Sequence, residues 1–201
     1  MGLAVVPREG GLLQPIRDQV NPVLALAIMG WPKHDKGIPR MKASLKSAAD
    51  ELVALAAREK LTIITAESCT SGLLATVLSE APGAAQILHG GFVTYTKEHK
   101  AVALGVPEEL LRAKSAVCDE VACAMAEGAL ARSTADLVAA ITGVAGPEAD
   151  EDGNPVGRVF IAAARRGRKV VCFEKDYGDI GRDAVRESAI ADAIAALKRM
   201  I

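Results

Sequence analysis

A short apolar, β-branched run over residues 61–66 passes directly into the polar block Glu67-Ser68-Cys69-Thr70-Ser71-Gly72, after which Leu73, Leu74, Val77 and Leu78 recur at helical spacing. A brief apolar run bounded by turn residues reads as a buried strand, and the period that follows reads as a helix. A strand feeding a helix in this way must pack the helix against a sheet. The rest of the chain repeats the theme. Residues 86–96 read as extended, with Gly90 and Gly91 allowing a bulge or a close backbone approach. Residues 136–142 form a second buried-strand candidate, while 159–164 and 169–175 form a hairpin across a turn containing Gly167.

Helical periods flank these strands. Ser44 is placed to cap a helix reaching about Glu59, with Leu45, Ala48, Leu52, Leu55 and Ala56 on one face. Pro107 suits the first turn of a short helix, and longer helices are predicted over 117–132 and 183–200. The expectation is an α/β fold: a three-layer α/β/α sandwich with a mixed central sheet, in a single domain over 41–201. Residues 1–40 hold five of the nine prolines, at positions 7, 15, 22, 32 and 39, and show no useful periodicity. They read as an irregular N-terminal extension, with Met41 as an alternative translation start.

Charge and composition narrow the partners. Lysine and arginine number 24 against 25 acidic residues, so no global positive field draws in nucleic acid or anionic lipid. Aromatic residues make up 3% of the chain, too few for base-stacking platforms, and a small ligand fits better. The apolar stretch at 23–29 falls far short of the roughly 20 residues that cross a bilayer. Arg8 and Arg17 precede it, but Gly30, Trp31 and Pro32 follow in place of an export cleavage site. Cysteines 69, 118, 123 and 172 lack zinc-site spacing and read as reduced thiols of a cytoplasmic protein, with neither metal nor organic cofactor expected.

Three stretches could carry chemistry. At the strand-to-helix change, Ser68, Thr70 and Ser71 either cap the helix or present a hydroxyl beside unpaired N–H groups, which can hold a phosphate or an oxyanion. In Gly90-Gly91-Phe92-Val93-Thr94-Tyr95-Thr96-Lys97-Glu98-His99-Lys100, a lysine acts as a base only if burial or a nearby cation lowers its pKa; otherwise it is a solvated cation. Local pattern alone favours the solvated reading for both Lys97 and Lys100, and leaves His89 and His99 structural or exposed. The Thr142-Gly143-Val144-Ala145-Gly146-Pro147 stretch lets backbone approach a ligand, or is a plain turn; it matches neither a phosphate-binding loop nor a dinucleotide fingerprint.

Taken in order, Ala66 to Gly72, then Gly91 to Tyr95 with Lys100, then Thr142 to Pro147 and Pro155-Val156-Gly157 resemble the signature of the CinA C-terminal family across about Leu45 to Leu197. The resemblance implies a nicotinamide-nucleotide amidase, converting nicotinamide mononucleotide to nicotinate mononucleotide and ammonia. It maps a serine nucleophile to Ser68, with Tyr95 and Lys100 assisting. Thr70, Ser71, Gly72, Thr142, Gly143 and Gly146 become the expected substrate contacts, with the oxyanion received by N–H groups near Thr70 to Gly72. It also implies a homodimer or higher homo-oligomer, for which the alanine-rich helix over 117–132 offers small side chains. Longer family members carry a further N-terminal domain related to molybdopterin-binding proteins, so the resemblance implies a stand-alone amidase here. The alternatives are a non-catalytic nucleotide-binding or oligomeric interaction module of the same fold, and a cysteine hydrolase using Cys69 with His89 or His99. Three departures from the family pattern stand out: Ser71 replaces a common glycine, residues 148–152 are acidic where glycine is usual, and Asp179 lacks a following arginine, which leaves Arg182 or Arg186 to substitute.

Overall fold

The computed structural model describes residues 42–201. The expectations for residues 1–40 and the start at Met41 lie outside the described residues.

The chain runs α1 (Ala43–Arg58), β1 (Ile63–Glu67), α2 (Leu73–Ser79), α3 (Ala84–Ile87), β2 (Leu88–Val93), α4 (Lys97–Leu104), α5 (Glu108–Lys114), α6 (Asp119–Ala131), β3 (Leu137–Gly143), β4 (Arg158–Arg165), β5 (Val171–Asp176) and α7 (Arg182–Lys198). The strands form one sheet in the order β2-β1-β3-β4-β5. β1 pairs parallel with both β2 and β3, while β3-β4 and β4-β5 are antiparallel. The mixed sheet is sandwiched as the strand and helix periods predict.

Alternation along the strands feeds two cores. Ile63, Leu137, Ala139, Ile141 and Ile161 meet α1, α2 and α7 on one face. Ile64, Ala66, Val138, Ala140 and Ala162 meet α4, α5 and α6 on the other. Because both faces of β1, β3 and β4 are covered, these strands read as continuous apolar runs.

Several local expectations are corrected. Lys42, not Ser44, is the N-cap residue of α1, and it supplies no side-chain cap. Helix α2 begins at Leu73, because Ser71 and Gly72 take positive φ values of 52° and 88° and hold the chain in a turn. The stretch expected to be extended from Gln86 opens instead with the short helix α3. Gly90 and Gly91 meet both expectations: the β1-β2 register shifts between Ile63 and Ile64, and a Cβ at Gly91 would stand 2.4 Å from Thr65 Oγ1. The small residues of α6 are spent inside the protomer, where Ala122, Ala126 and Ala129 are buried and a Cβ at Gly128 would collide with the Leu104 carbonyl. That helix therefore lends no support to an oligomer.

Candidate active site

The parallel strands β2, β1 and β3 end together at Val93, Glu67 and Gly143, so the segments that follow them meet at one edge of the sheet. Ligands of α/β sheets bind outside such carboxyl ends. A cavity of about 560 Å³ opens there, with Ser68, Cys69, Tyr95, Lys100, Thr142 and Gly146 among its lining.

Ser68 follows the last residue of β1 and remains tied to the sheet, its N–H donating to the Ile141 carbonyl at 2.9 Å. It is 7% exposed. Behind it, Glu67 is fully buried. Its carboxylate accepts the N–H groups of Leu74 (3.0 Å) and Ala75 (2.9 Å) and the hydroxyl of Thr65 (3.1 Å). The first turn of α2 is thus satisfied by the protein's own carboxylate, and its donors are not free for a substrate phosphate. The Ser71 N–H is also engaged, donating to the Ser68 carbonyl at 3.0 Å. Among the described residues, no acceptor takes the N–H of Cys69 or Thr70.

Thr96 caps α4 by accepting the His99 N–H, which sets the helix so that Lys100 points back toward the sheet edge. Lys100 Nζ stands 2.9 Å from Ser68 Oγ and donates to the carbonyls of Thr94 at 2.9 Å and Tyr95 at 3.4 Å. The lysine is 1% exposed, and no carboxylate pairs with it among the described residues. Burial pushes its pKa down to about 8, and the charge of Lys97 acts in the same direction. The solvated reading of Lys100 is thereby corrected.

The remaining expected residues divide. Tyr95 lines the cavity, but it touches Lys100 only through its carbonyl, and the residue is 59% exposed. Thr142, Gly143 and Gly146 line the cavity; Thr142 Oγ1 donates to the Ala116 carbonyl at 2.7 Å. A Cβ at Gly143 would meet the Arg158 carbonyl at 2.6 Å, so no larger residue fits that strand end. Thr70, Ser71 and Gly72 do not line it. Thr70 is buried, with its carbonyl accepting Arg186 Nη2 at 2.8 Å, and Ser71 is exposed. Arg182 lines the cavity and donates to the Gly146 carbonyl.

Burial pushes the Cys69 thiol up to about 11, and neither His89 nor His99, the bases a cysteine hydrolase would use here, lines the cavity. Of the metal-ligating residue types, Cys118, Asp119 and Glu120 bring a thiol and two carboxylates within 4.8 Å of one another, but they line a second cavity that excludes Ser68.

The acidic residues 148–152 do fold inward. Glu148, Asp150, Glu151 and Asp152 all line the cavity, and Lys97 Nζ lies 2.8 Å from both Glu151 Oε1 and Asp152 Oδ2. Asp150 shapes the loop by accepting the N–H groups of Asp152 and Asn154.

A family model described as the CinA C-terminal domain matches residues 45–201. The chain belongs to the CinA C-terminal domain family. A CinA-like protein of Geobacter sulfurreducens is 43% identical over 154 residues, which cover 76% of this chain and 37% of that protein. A 45% identical relative in Symbiobacterium thermophilum is covered over 36% of its length, so the chain spans little more than a third of these relatives. The nicotinamide-nucleotide amidohydrolase PncC of Escherichia coli K12 is 43% identical over 137 residues, 68% of this chain and 82% of PncC. Among solved structures, the competence/damage inducible protein CihA of Agrobacterium tumefaciens matches with a TM-score of 0.77 and 38% identity over 79% of this chain and 96% of that one. Among the described residues, no helix is long and apolar enough to cross a membrane.

Two functional candidates escaped the sequence reading. Glu67 stood inside the first block without a role, and its only signal is a carboxylate directly after a buried strand and shortly before a helix start. Lys97 reads from sequence as a solvated cation, and nothing local marks its pairing with Glu151 and Asp152, more than fifty positions away.

Proposed function

We propose that this chain hydrolyses the carboxamide of nicotinamide mononucleotide to nicotinate mononucleotide and ammonia, acting in the cytoplasm without metal or organic cofactor. The observation that carries the reading is the buried Ser68-Lys100 contact of 2.9 Å at a cavity wall. The printed name of the Escherichia coli relative supplies the substrate class.

In this reading, neutral Lys100 takes the Ser68 proton as Oγ attacks the carboxamide carbon. The resulting oxyanion turns toward the N–H groups of Cys69 and Thr70, the residues that follow a nucleophile placed between strand and helix. Protonated Lys100 then gives its proton to the departing nitrogen, the C–N bond breaks, and ammonia leaves an acyl-Ser68 ester. Water attacks the ester, Lys100 accepts the water proton and returns it to Ser68, and nicotinate mononucleotide is released. Tyr95 is assigned to orient the pair or relay the proton. Thr142, Gly143 and Gly146 contact the substrate, Thr70 acts through its backbone N–H, and Ser71 and Gly72 act through the shape of the turn.

Residues 41–201 constitute the catalytic domain in this reading, and the chain works as a homodimer. Exposed Val93 and Val102, on the edge strand and the helix beside Tyr95, offer apolar surface for a second copy.

Ammonia release by the purified protein from nicotinamide mononucleotide, nicotinamide riboside and free nicotinamide tests the proposal. Binding of the mononucleotide with no ammonia from any of the three would favour the non-catalytic nucleotide-binding module. Loss of turnover in Cys69→Ala with retention in Ser68→Ala would restore the cysteine hydrolase.

A further inference from the structure

Three cations and five carboxylates line the cavity that holds Ser68. The cations are Lys97, Lys100 and Arg182; the acids are Glu98, Glu148, Asp150, Glu151 and Asp152. Their formal sum is three minus five, or -2. Such a wall suits a pyridinium ring, which is cationic, better than a phosphate, which carries close to two negative charges. Lys100 is committed to Ser68 and to the Thr94 carbonyl, and Arg182 to the Gly146 carbonyl. Lys97 is the remaining cation that could meet a phosphate, and it is bound twice over, by Glu151 and by Asp152.

We infer that Glu151 and Asp152 are specificity-determining residues, which hold Lys97 in ion pairs across the cavity wall and so weigh against the phosphate of a nucleotide substrate relative to the phosphate-free nucleoside. The inference rests on the amidase reading and adds to it which end of the substrate the site penalises. A phosphate that reaches Lys97 must displace two carboxylates and then remain beside them. A nucleoside displaces neither, and its positive ring is attracted by the same acids. The pairs join the first residue of α4 to the 148–152 loop, fifty-odd residues on, so their presence also fixes where the acidic loop stands against the cavity.

The experiment compares kcat/KM for nicotinamide mononucleotide with that for nicotinamide riboside in the full chain, in Glu151→Gln, in Glu151→Gln/Asp152→Asn, and in each with Lys97→Met added. The expected result is a mononucleotide-to-riboside ratio that rises about threefold or more when the carboxylates are neutralised, and a rise that disappears once Lys97 is gone. The single Glu151→Gln variant, at a side chain that is 74% exposed and bonded to Lys97, carries the test if the double variant does not fold. An unchanged ratio would overturn the inference, as would a rise that persists without Lys97, since that would reflect overall charge and not the masking of one lysine. Dissociation constants of the two ligands, read by titration calorimetry in the same variants, give the same ratio independently of turnover. A chain that binds both ligands but releases ammonia from neither sinks the amidase reading alone, with the binding ratio still deciding the inference; binding of neither ligand sinks both.

Discussion

Lys100 Nζ meets Ser68 Oγ at 2.9 Å, although the two residues come from different strand-to-helix passages 32 positions apart. In the proposed mechanism each group is useful to the other only while both are present. Ser68→Ala and Lys100→Met should therefore each lower ammonia release by about a thousandfold or more, and the double variant should be scarcely worse than either single one. Multiplicative losses in the double variant, measured as kcat, would show that the groups act separately.

The same lysine should link pH to both activity and stability. With a pKa near 8, roughly a tenth of Lys100 is neutral at pH 7, and kcat/KM should rise through an apparent pKa near 8. On the stability side, the folded pKa is depressed below the ordinary 10.5, so between these values the unfolded chain binds more protons and stability increases with pH. Below pH 8 the native protein bears the full cost of a buried cation, on the order of 3 kcal/mol. Urea denaturation of Lys100→Met at pH 7.5 and pH 10 should lack this increment. A wild-type chain that loses stability over that interval relative to Lys100→Met would contradict the assignment.

Glu67 should behave as a structural carboxylate with a catalytic consequence. Glu67→Gln presents one acceptor oxygen to donors now shared between two, leaving a buried N–H of α2 unpaired, at a cost of about 1–3 kcal/mol. Glu67→Ala should cost more. Because the turn that carries Ser68 is anchored at this point, kcat should fall in the folded variant while the apparent pKa of the rate stays near that of Lys100. Unaltered denaturation midpoints in both variants would remove Glu67 from this role.

Ser71 occupies the left-handed region with φ at 52°, which glycine adopts without strain. Its hydroxyl recovers part of the cost by donating to the Ser68 carbonyl at 3.3 Å. Ser71→Gly should stabilise the chain by about 0.5–1 kcal/mol, read as a higher denaturation midpoint at unchanged slope. A destabilised variant would mean that the hydroxyl bond outweighs the backbone strain.

The layered fold was legible because the buried strands β1, β3 and β4 are apolar throughout and are set off by glycine-rich or polar turns. The meeting of the three blocks was legible only with the family resemblance, since no local feature says that β1 lies between β2 and β3. Lys100 stands among Lys97, Glu98 and His99, a sequence that reads as a solvated helix face; its burial comes from the turn of α4 toward Ser68. The helix start after Gly72 reads from sequence as an anion site, but Glu67 takes the N–H groups of Leu74 and Ala75. The alanines of α6 suggested association between chains, yet close packing against the sheet and α4 uses the same property. Side-chain direction was the least legible feature of all: Tyr95 offers Lys100 its carbonyl and leaves its ring exposed.

The parallel pairing of β1 with β3 sets a timetable for assembly. Ile63 pairs with Leu137, and the N–H of Ser68 bonds the Ile141 carbonyl, so the strand that steadies Ser68 arrives more than seventy residues after it. Closing so long a loop must precede the reward of the contact, which makes this pairing a slow, late event compared with formation of the local helices. On a ribosome, Ser68 and Lys100 are both synthesised before β3, and a chain at that stage holds the proposed proton-transfer pair without the strand that steadies Ser68. If the proposed mechanism holds, competence for chemistry is tied to completion of the sheet, because the bond that fixes Ser68 comes from its third strand.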